Sequence, residues 1–283
     1  MDFEDVVKKM LSDATAWYEE GKWQVLYGAS IALALGFLAC LAVIVGTAYV
    51  AGGVTGNSLA AMLGIGAVGV VLFLAFIIAS ELISLKIMQH ALRFQGYKPI
   101  EISIDTLLRR IALGIVTFFQ ILLCWKEKKW LGFGIISAAS IIVGALMIAG
   151  GQALFGGILL IIGLVAALPY FFGSVKHSIR LSQATWYFLR GSGILESLEK
   201  SWNATAGRGW LVFGALFVFI LVVGVVQAIF NQVIQLIAYV PFVGWLVALV
   251  LALAIGPAWN FASIYGMAAL YSLVDRKKLS CSG

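Results

Sequence analysis

The sequence predicts an all-α, polytopic membrane protein: six transmembrane helices in three hairpins, with amphipathic helices at the cytoplasmic interface. Three observations lead there. The 283 residues are 62% hydrophobic and only 11% charged, with a mean hydropathy of +1.03; a soluble domain carries about 25% charge. Several apolar runs reach or exceed the roughly 20 residues that a spanning helix needs. The charges also alternate along the chain. Segments before Val25, between the second and third spans, between the fourth and fifth, and after Leu273 hold three, eight, five and three Lys/Arg residues, all 19 of them. The three intervening loops hold no acid or base. The positive-inside rule therefore predicts a multi-pass protein of the cell membrane with both termini cytoplasmic.

Residues 3–18 read as an amphipathic helix, with Phe3, Val6, Val7, Met10, Leu11, Ala14, Trp17 and Tyr18 on one face. Asp2, Glu4 and Asp5 suit its N-terminus, and Glu4–Lys8 and Asp5–Lys9 are i,i+4 pairs. This acidic start does not read as a cleavable signal peptide. Gly21-Lys22-Trp23 leads into a span at 25–50. Residues 51–58 read as a turn, and a second span covers 59–85, its helix continuing toward 92. Residues 104–124 are amphipathic, with Leu107, Leu108, Ile111, Ala112 and Ile115 on one face. The uninterrupted apolar part is short for a span, which favours an interfacial or re-entrant helix. The alternative, a seventh span, puts Lys126–Lys129 outside. Spans at 131–149 and 154–175 follow, joined by Gly150-Gly151-Gln152, and 176–193 reads as a basic linker.

The stretch 194–214, ILESLEKSWNATAGRGWLVFG, organises the reading. Leu195, Leu198 and Trp202 share a helix face, Glu196 and Lys200 pair at i,i+4, and a glycine hinge at 206–209 precedes Trp210. Spans at 210–230 and 243–273 complete the chain, separated by a turn near Val240-Pro241-Phe242. The same order of amphipathic helix, Trp and aromatic-Gly pair occurs in FEDVVKKM…GKWQVLYG and IDTLLRRI…KKWLGFG. The expectation is one integral membrane domain, 1–283, built from three copies at 1–92, 93–190 and 191–275.

Candidate sites are few. Glu81 is the one acid inside a predicted span, where ionised carboxylates cost about 2.5–3.5 kcal/mol to insert. It reads either as functional or as a paired, snorkelling residue near Lys86. Asn260 holds the matching place in the third hairpin. Pro169 and Pro257 lie inside spans and free backbone carbonyls there. Glu81, Asn260, Pro169 and Pro257 form the candidate intramembrane polar site; Ser201, Trp202, Thr205, Gly207 and Trp210 form an interfacial motif. Gly64-Ile65-Gly66-Ala67-Val68-Gly69 lacks a preceding strand and reads as close helix packing, as do Gly28, Ala32 and Gly36. The three cysteines are scattered, His90 and His177 stand alone, and no residue set suggests a metal, a cofactor or a catalytic triad. The net charge of +6 is explained by span-flanking residues rather than nucleic acid.

Ser197-Leu198, Ser201-Trp202, Thr205, Gly207, Trp210 and Phe213-Gly214 fit a pattern of the type A-L-x-x-S-W-x-x-T-x-G-x-x-W-x-x-F-G. In this the chain resembles a loose group of six-span prokaryotic membrane proteins, among them the membrane domain fused to some glycerophosphoryl diester phosphodiesterases. The resemblance covers about 20 residues clearly. It implies a fold and no phosphodiesterase activity, since the catalytic domain is missing. The expected function is a non-enzymatic lipid-interacting scaffold or accessory subunit of a membrane complex; the alternative is a permease or export component for a small or lipidic substrate. Expected partners are membrane lipids, through anionic headgroups at the cytoplasmic face, with protein partners or a homo-oligomer.

Overall fold

A computed structural model describes residues 3–17, 23–54, 58–241 and 243–276. Ten α-helices and no strand occur among the described residues. They are α1 (Phe3–Ala16), α2 (Trp23–Val54), α3 (Ser58–Phe94), α4 (Ile104–Leu122), α5 (Lys129–Ala149), α6 (Ala153–Leu181), α7 (Ala184–Leu189), α8 (Ile194–Ala204), α9 (Gly209–Ala238) and α10 (Gly244–Asp275). Six helices are long and apolar enough to cross a membrane; α4 is not one of them. The protein is thus all-helical and multi-pass. The helices divide into two compact units, Met1–Ile102 with Gly214–Gly283, and Ser103–Phe213.

In the first unit α1 packs against α10, and α2 and α3 pack together and against α10. The apolar face of α1 buries Val6, Met10 and Ala14. Lys8 pairs with Glu4 at 2.6 Å as expected, but Lys9 pairs with Asp13 at 2.9 Å and not with Asp5. Asp13 is buried, so its carboxylate has lost more water than that of Asp5 and holds the ammonium. Asp13 also accepts a 2.7 Å hydrogen bond from the Gln95 amide, and the Gln95 carbonyl accepts one of 2.5 Å from Arg276. Tyr97 donates to Asp275 at 3.0 Å. A polar latch therefore ties α1, the end of α3 and the end of α10.

In the second unit α5 and α6 run antiparallel in close contact. The turn between them needs Gly151 at φ +84°. A Cβ on Gly144 would stand 2.8 Å from the Gly156 carbonyl oxygen, and one on Gly163 3.1 Å from the Ser137 oxygen. One on Gly173 would strike the Trp130 side chain. Small residues let two backbones approach where hydrocarbon supplies no hydrophobic drive, so van der Waals contact holds the pair.

Several expectations are corrected here. The tight glycine packing expected at Gly28, Gly36 and Gly66 is absent: a Cβ at each meets nothing within 4 Å. Apolar periodicity does not say which glycine face meets a partner. Residues 51–54 continue α2 rather than forming a turn; the middle of that stretch, 55–57, lies outside the described residues. The expected linker 176–193 contains the last turns of α6 and the short α7, whose Trp186, Tyr187, Phe188 and Leu189 are buried. Its cations masked an aromatic run. Gly21, Lys22, Phe242, Lys277 and Lys278 lie outside the described residues.

Gly156→Val should push α5 from α6, since its Cβ would meet the Gly144 oxygen at 2.6 Å and the Ile148 nitrogen at 2.9 Å. The expected loss is about 1–3 kcal/mol, read as a lower unfolding midpoint in detergent. Gly157→Ala, which meets nothing within 4 Å, should leave the midpoint unchanged.

Candidate functional site

The interfacial motif sits in the second unit and is built around the end of α6. A helix leaves its last carbonyls without intrahelical donors. The Arg180 carbonyl is one of these. Ser201 on α8 donates its hydroxyl to it at 2.6 Å and accepts from the Gln183 backbone N–H at 3.2 Å. Thr205 shares its single hydroxyl hydrogen between the Ser201 carbonyl at 2.9 Å and the same Arg180 carbonyl at 3.3 Å. Both hydroxyl residues are fully buried, as is Ser197, which donates to the Ser192 carbonyl at 3.3 Å. Leu198 is buried, but Leu195 is 70% exposed, and the inward stripe is Ser197, Leu198, Ser201 and Thr205. Small hydroxyls win that face because backbone carbonyls need donors there. On the outer surface Lys200 pairs with Glu196 at 2.7 Å, as the spacing predicts. That hydrogen bond, and a second from the Gly193 N–H, hold the Glu196 carboxyl below its usual range.

Trp202 lies between two α6 side chains. The Arg180 guanidinium stands 4.5 Å from its ring centre, within cation–π range, and the His177 ring 4.9 Å from it. Arg180 has no carboxylate partner among the described residues. Lys8, Lys9, Arg109, Lys176 and Lys200 each have one. His177 is 1% exposed and contacts the Gly173 carbonyl through Nδ1 at 2.8 Å. A carbonyl only accepts, so Nδ1 carries the hydrogen. Nε2 has no hydrogen-bond partner among the described residues, and His177 lines a cavity of about 220 Å³ with Gln120, Lys126 and Glu199.

On the other side of α6 lies a larger cavity of about 550 Å³, bordered by Trp130, Phe172, Lys176, Arg180, Gly207 and Trp210. Gly207 turns the chain at φ +74°, and Trp210, the expected anchor, is 83% exposed. Glu127 sits behind Trp130. It accepts 2.5 Å from Lys176 and 2.6 Å from the Trp130 indole. Partial burial pushes its carboxyl up, but those donors outweigh burial and hold it below the ordinary value of 4.5.

Of the intramembrane candidates, Pro257 and Asn260 share a cavity of about 270 Å³ in the first unit, with Ser30, Phe76, Ser80 and Gly256. Pro257 lacks the N–H that would bond the Leu253 carbonyl. The neighbouring Ala254 carbonyl accepts the Tyr27 hydroxyl. Glu81 follows Ser80 in the chain and does not line this cavity; it is half-buried and already engaged by another group. Pro169 belongs to α6 of the second unit. Within the first unit, two of the four expected residues, Pro257 and Asn260, share one cavity. Reading along the sequence missed Arg180, His177 and Trp130 as site residues: Arg180 and His177 carry no motif, Trp130 stood only as the tryptophan of the second copy, and they border the same spaces as Trp202 and Gly207 only in the fold. No three-residue group of His, Cys, Asp or Glu able to hold a metal occurs among the described residues.

Ser201→Ala or Thr205→Ala should each cost about 1 kcal/mol. The double variant should depart from additivity because the two hydroxyls share one acceptor. Unfolding midpoints in detergent measure both. Glu127 should add stability above the ordinary carboxylate value and lose it as pH falls through its depressed folded value. Glu127→Gln should flatten that acid limb in a pH series of unfolding midpoints.

No family model, no curated protein and no solved structure matches this chain.

Proposed function

We propose that the chain is a non-enzymatic lipid-interacting scaffold or accessory subunit of a membrane complex, multi-pass in the cell membrane with both termini cytoplasmic. The observation that carries this reading is the outward face of α4. Ile104, Leu108, Ile111, Ile115, Phe118 and Leu122 recur every three or four residues and are all exposed, Ile104 to 76%. Leu107 and Leu113 are buried on the other side. An apolar stripe of this length on the surface suits lipid contact. Arg109 and Asp105 pair at 2.9 Å at the polar end of the helix. With the asymmetry of Lys and Arg along the sequence, this supports α4 as an interfacial helix in the cytoplasmic leaflet.

The threefold arrangement of hairpins belongs to the same proposal, together with the likeness to the membrane domain of glycerophosphoryl diester phosphodiesterases. Two packing relations support the repeat. Helix α1 of the first copy lies on α10 of the third, and α8 of the third lies on α6 of the second. Helix α4 departs from the pattern and lies on α6 of its own copy.

One observation favours transport as a second reading. Pro257, Asn260, Ser30 and Ser80 put polar groups and a proline around one cavity among apolar helices. A solute that co-purifies with the wild type and is lost from Asn260→Ala supports it. A wild-type protein free of solute removes it.

Purification from native membranes in mild detergent, with mass spectrometry of the bound material, tests the first reading. Retained lipid or a stoichiometric protein partner supports it; a lipid-free, lone chain overturns it. Leu108→Ser with Ile115→Ser, both on the exposed stripe, should reduce retained lipid while leaving the unfolding free energy within about 0.5 kcal/mol of wild type.

A further inference from the structure

The cavity of about 550 Å³ beside the end of α6 falls within the range of small-molecule sites. We infer that it binds one anionic phospholipid, its phosphate on the Arg180 guanidinium and an acyl chain along the apolar wall. This deepens the lipid-interacting reading and rests on it.

The wall has a direction. Phe172, Val175, Lys176, Ile179 and Arg180 line the cavity from α6 alone, spaced along one helix face. That face is aromatic and aliphatic at Phe172 and Val175 and carries its two cations, Lys176 and Arg180, in the turns that follow, as a lipid carries its charge at one end. The two cations differ. Lys176 shares its charge with Glu127 at 2.5 Å. Arg180 has no acid among the described residues, is held on Trp202, and keeps its planar fork for a phosphate. A second element faces the same space. Gly209 and Trp210 line the cavity and form the first turn of α9, whose N–H groups have no intrahelical acceptor. That end of a helix favours an anion, and here it adds to a cation already in place. The apolar wall and the exposed Trp210 ring select a lipid phosphate over the free ion.

The test uses the full chain, stripped of lipid in mild detergent and followed by native mass spectrometry. Phosphatidylglycerol, phosphatidylcholine and inorganic phosphate are the probes. Wild type should bind one phosphatidylglycerol in preference to phosphatidylcholine. Arg180→Gln should weaken it about tenfold and Arg180→Lys less, as expected for loss of one charged hydrogen-bonding partner. Inorganic phosphate at millimolar concentration should not displace the lipid. Trp210→Ala, at an exposed position where folding is not at stake, should weaken the lipid too.

Unchanged phosphatidylglycerol binding in a folded Arg180→Gln protein overturns the site. So does unchanged binding in Trp210→Ala, which decides the matter if Arg180→Gln does not fold. Equal binding of phosphatidylcholine, or displacement by inorganic phosphate, overturns the ligand class. A protein that leaves native membranes with lipid but binds it independently of Arg180 loses this site and keeps the broader reading. A protein that carries no lipid at either stage loses both.

Discussion

A carbonyl at the end of a helix needs a donor, and in a chain this apolar it finds little water to supply one. The Arg180 carbonyl is the case on which the second unit turns. Two buried hydroxyls from α8, Ser201 and Thr205, converge on it. That requirement fixes α8 against α6, and the rest follows. Trp202 comes to lie between Arg180 and His177, the Gly207 turn is placed, and the first turn of α9 is brought to the same cavity. The conspicuous Ser-Trp-Thr-Gly pattern is thus two things. Its hydroxyls are a structural clamp. Its Trp and Gly stand with the Arg180 cation beside an open apolar space.

The first unit solves a related problem with charges. Asp13 is buried at the edge of α1, where an unpartnered carboxylate would be costly. It is met by Lys9 and Gln95, and Gln95 is in turn met by Arg276. Away from that latch the unit is held by rings, among them Trp17 on Phe261 at 5.0 Å and Phe37 on Phe76 at 4.2 Å. Polar groups are spent at helix ends. The space around Pro257 and Asn260 departs from that pattern, and there the Tyr27 hydroxyl serves the backbone next to the proline.

Helices α5 and α6 use neither device. Their contact is made by glycines and the groups that fill against them, Trp130 on Gly173 and Tyr170 on Gly134. Between lipid-facing helices, apolar side chains gain nothing by leaving hydrocarbon for each other, so closeness itself supplies the attraction. Tyr170 also donates its hydroxyl to the Leu122 carbonyl at 2.8 Å, closing the end of α4. One aromatic residue after Pro169 thereby serves both the helix pair and the amphipathic helix beside it.

Composition and periodicity were enough for the all-helical, multi-pass class and for six spanning helices, because insertion into hydrocarbon depends on length and apolarity, which add up along a chain. They were also enough for the local pairs Glu4–Lys8 and Glu196–Lys200, whose geometry is set by one helix. What they did not reveal depends on which face meets which neighbour. Asp13 rather than Asp5 took Lys9, the glycines of α5 and α6 rather than Gly28 and Gly36 made the close contact, and a basic linker held the buried α7. Glu81, Asn260, Pro169 and Pro257 look alike as isolated polar or helix-breaking positions; only the fold put Pro257 and Asn260 on one cavity. The sequence by itself determined that the chain belongs in a membrane, since transfer from water is a sum over residues. The tertiary structure alone decided where a cation meets a tryptophan ring beside an open apolar space, since that is a relation between separate helices.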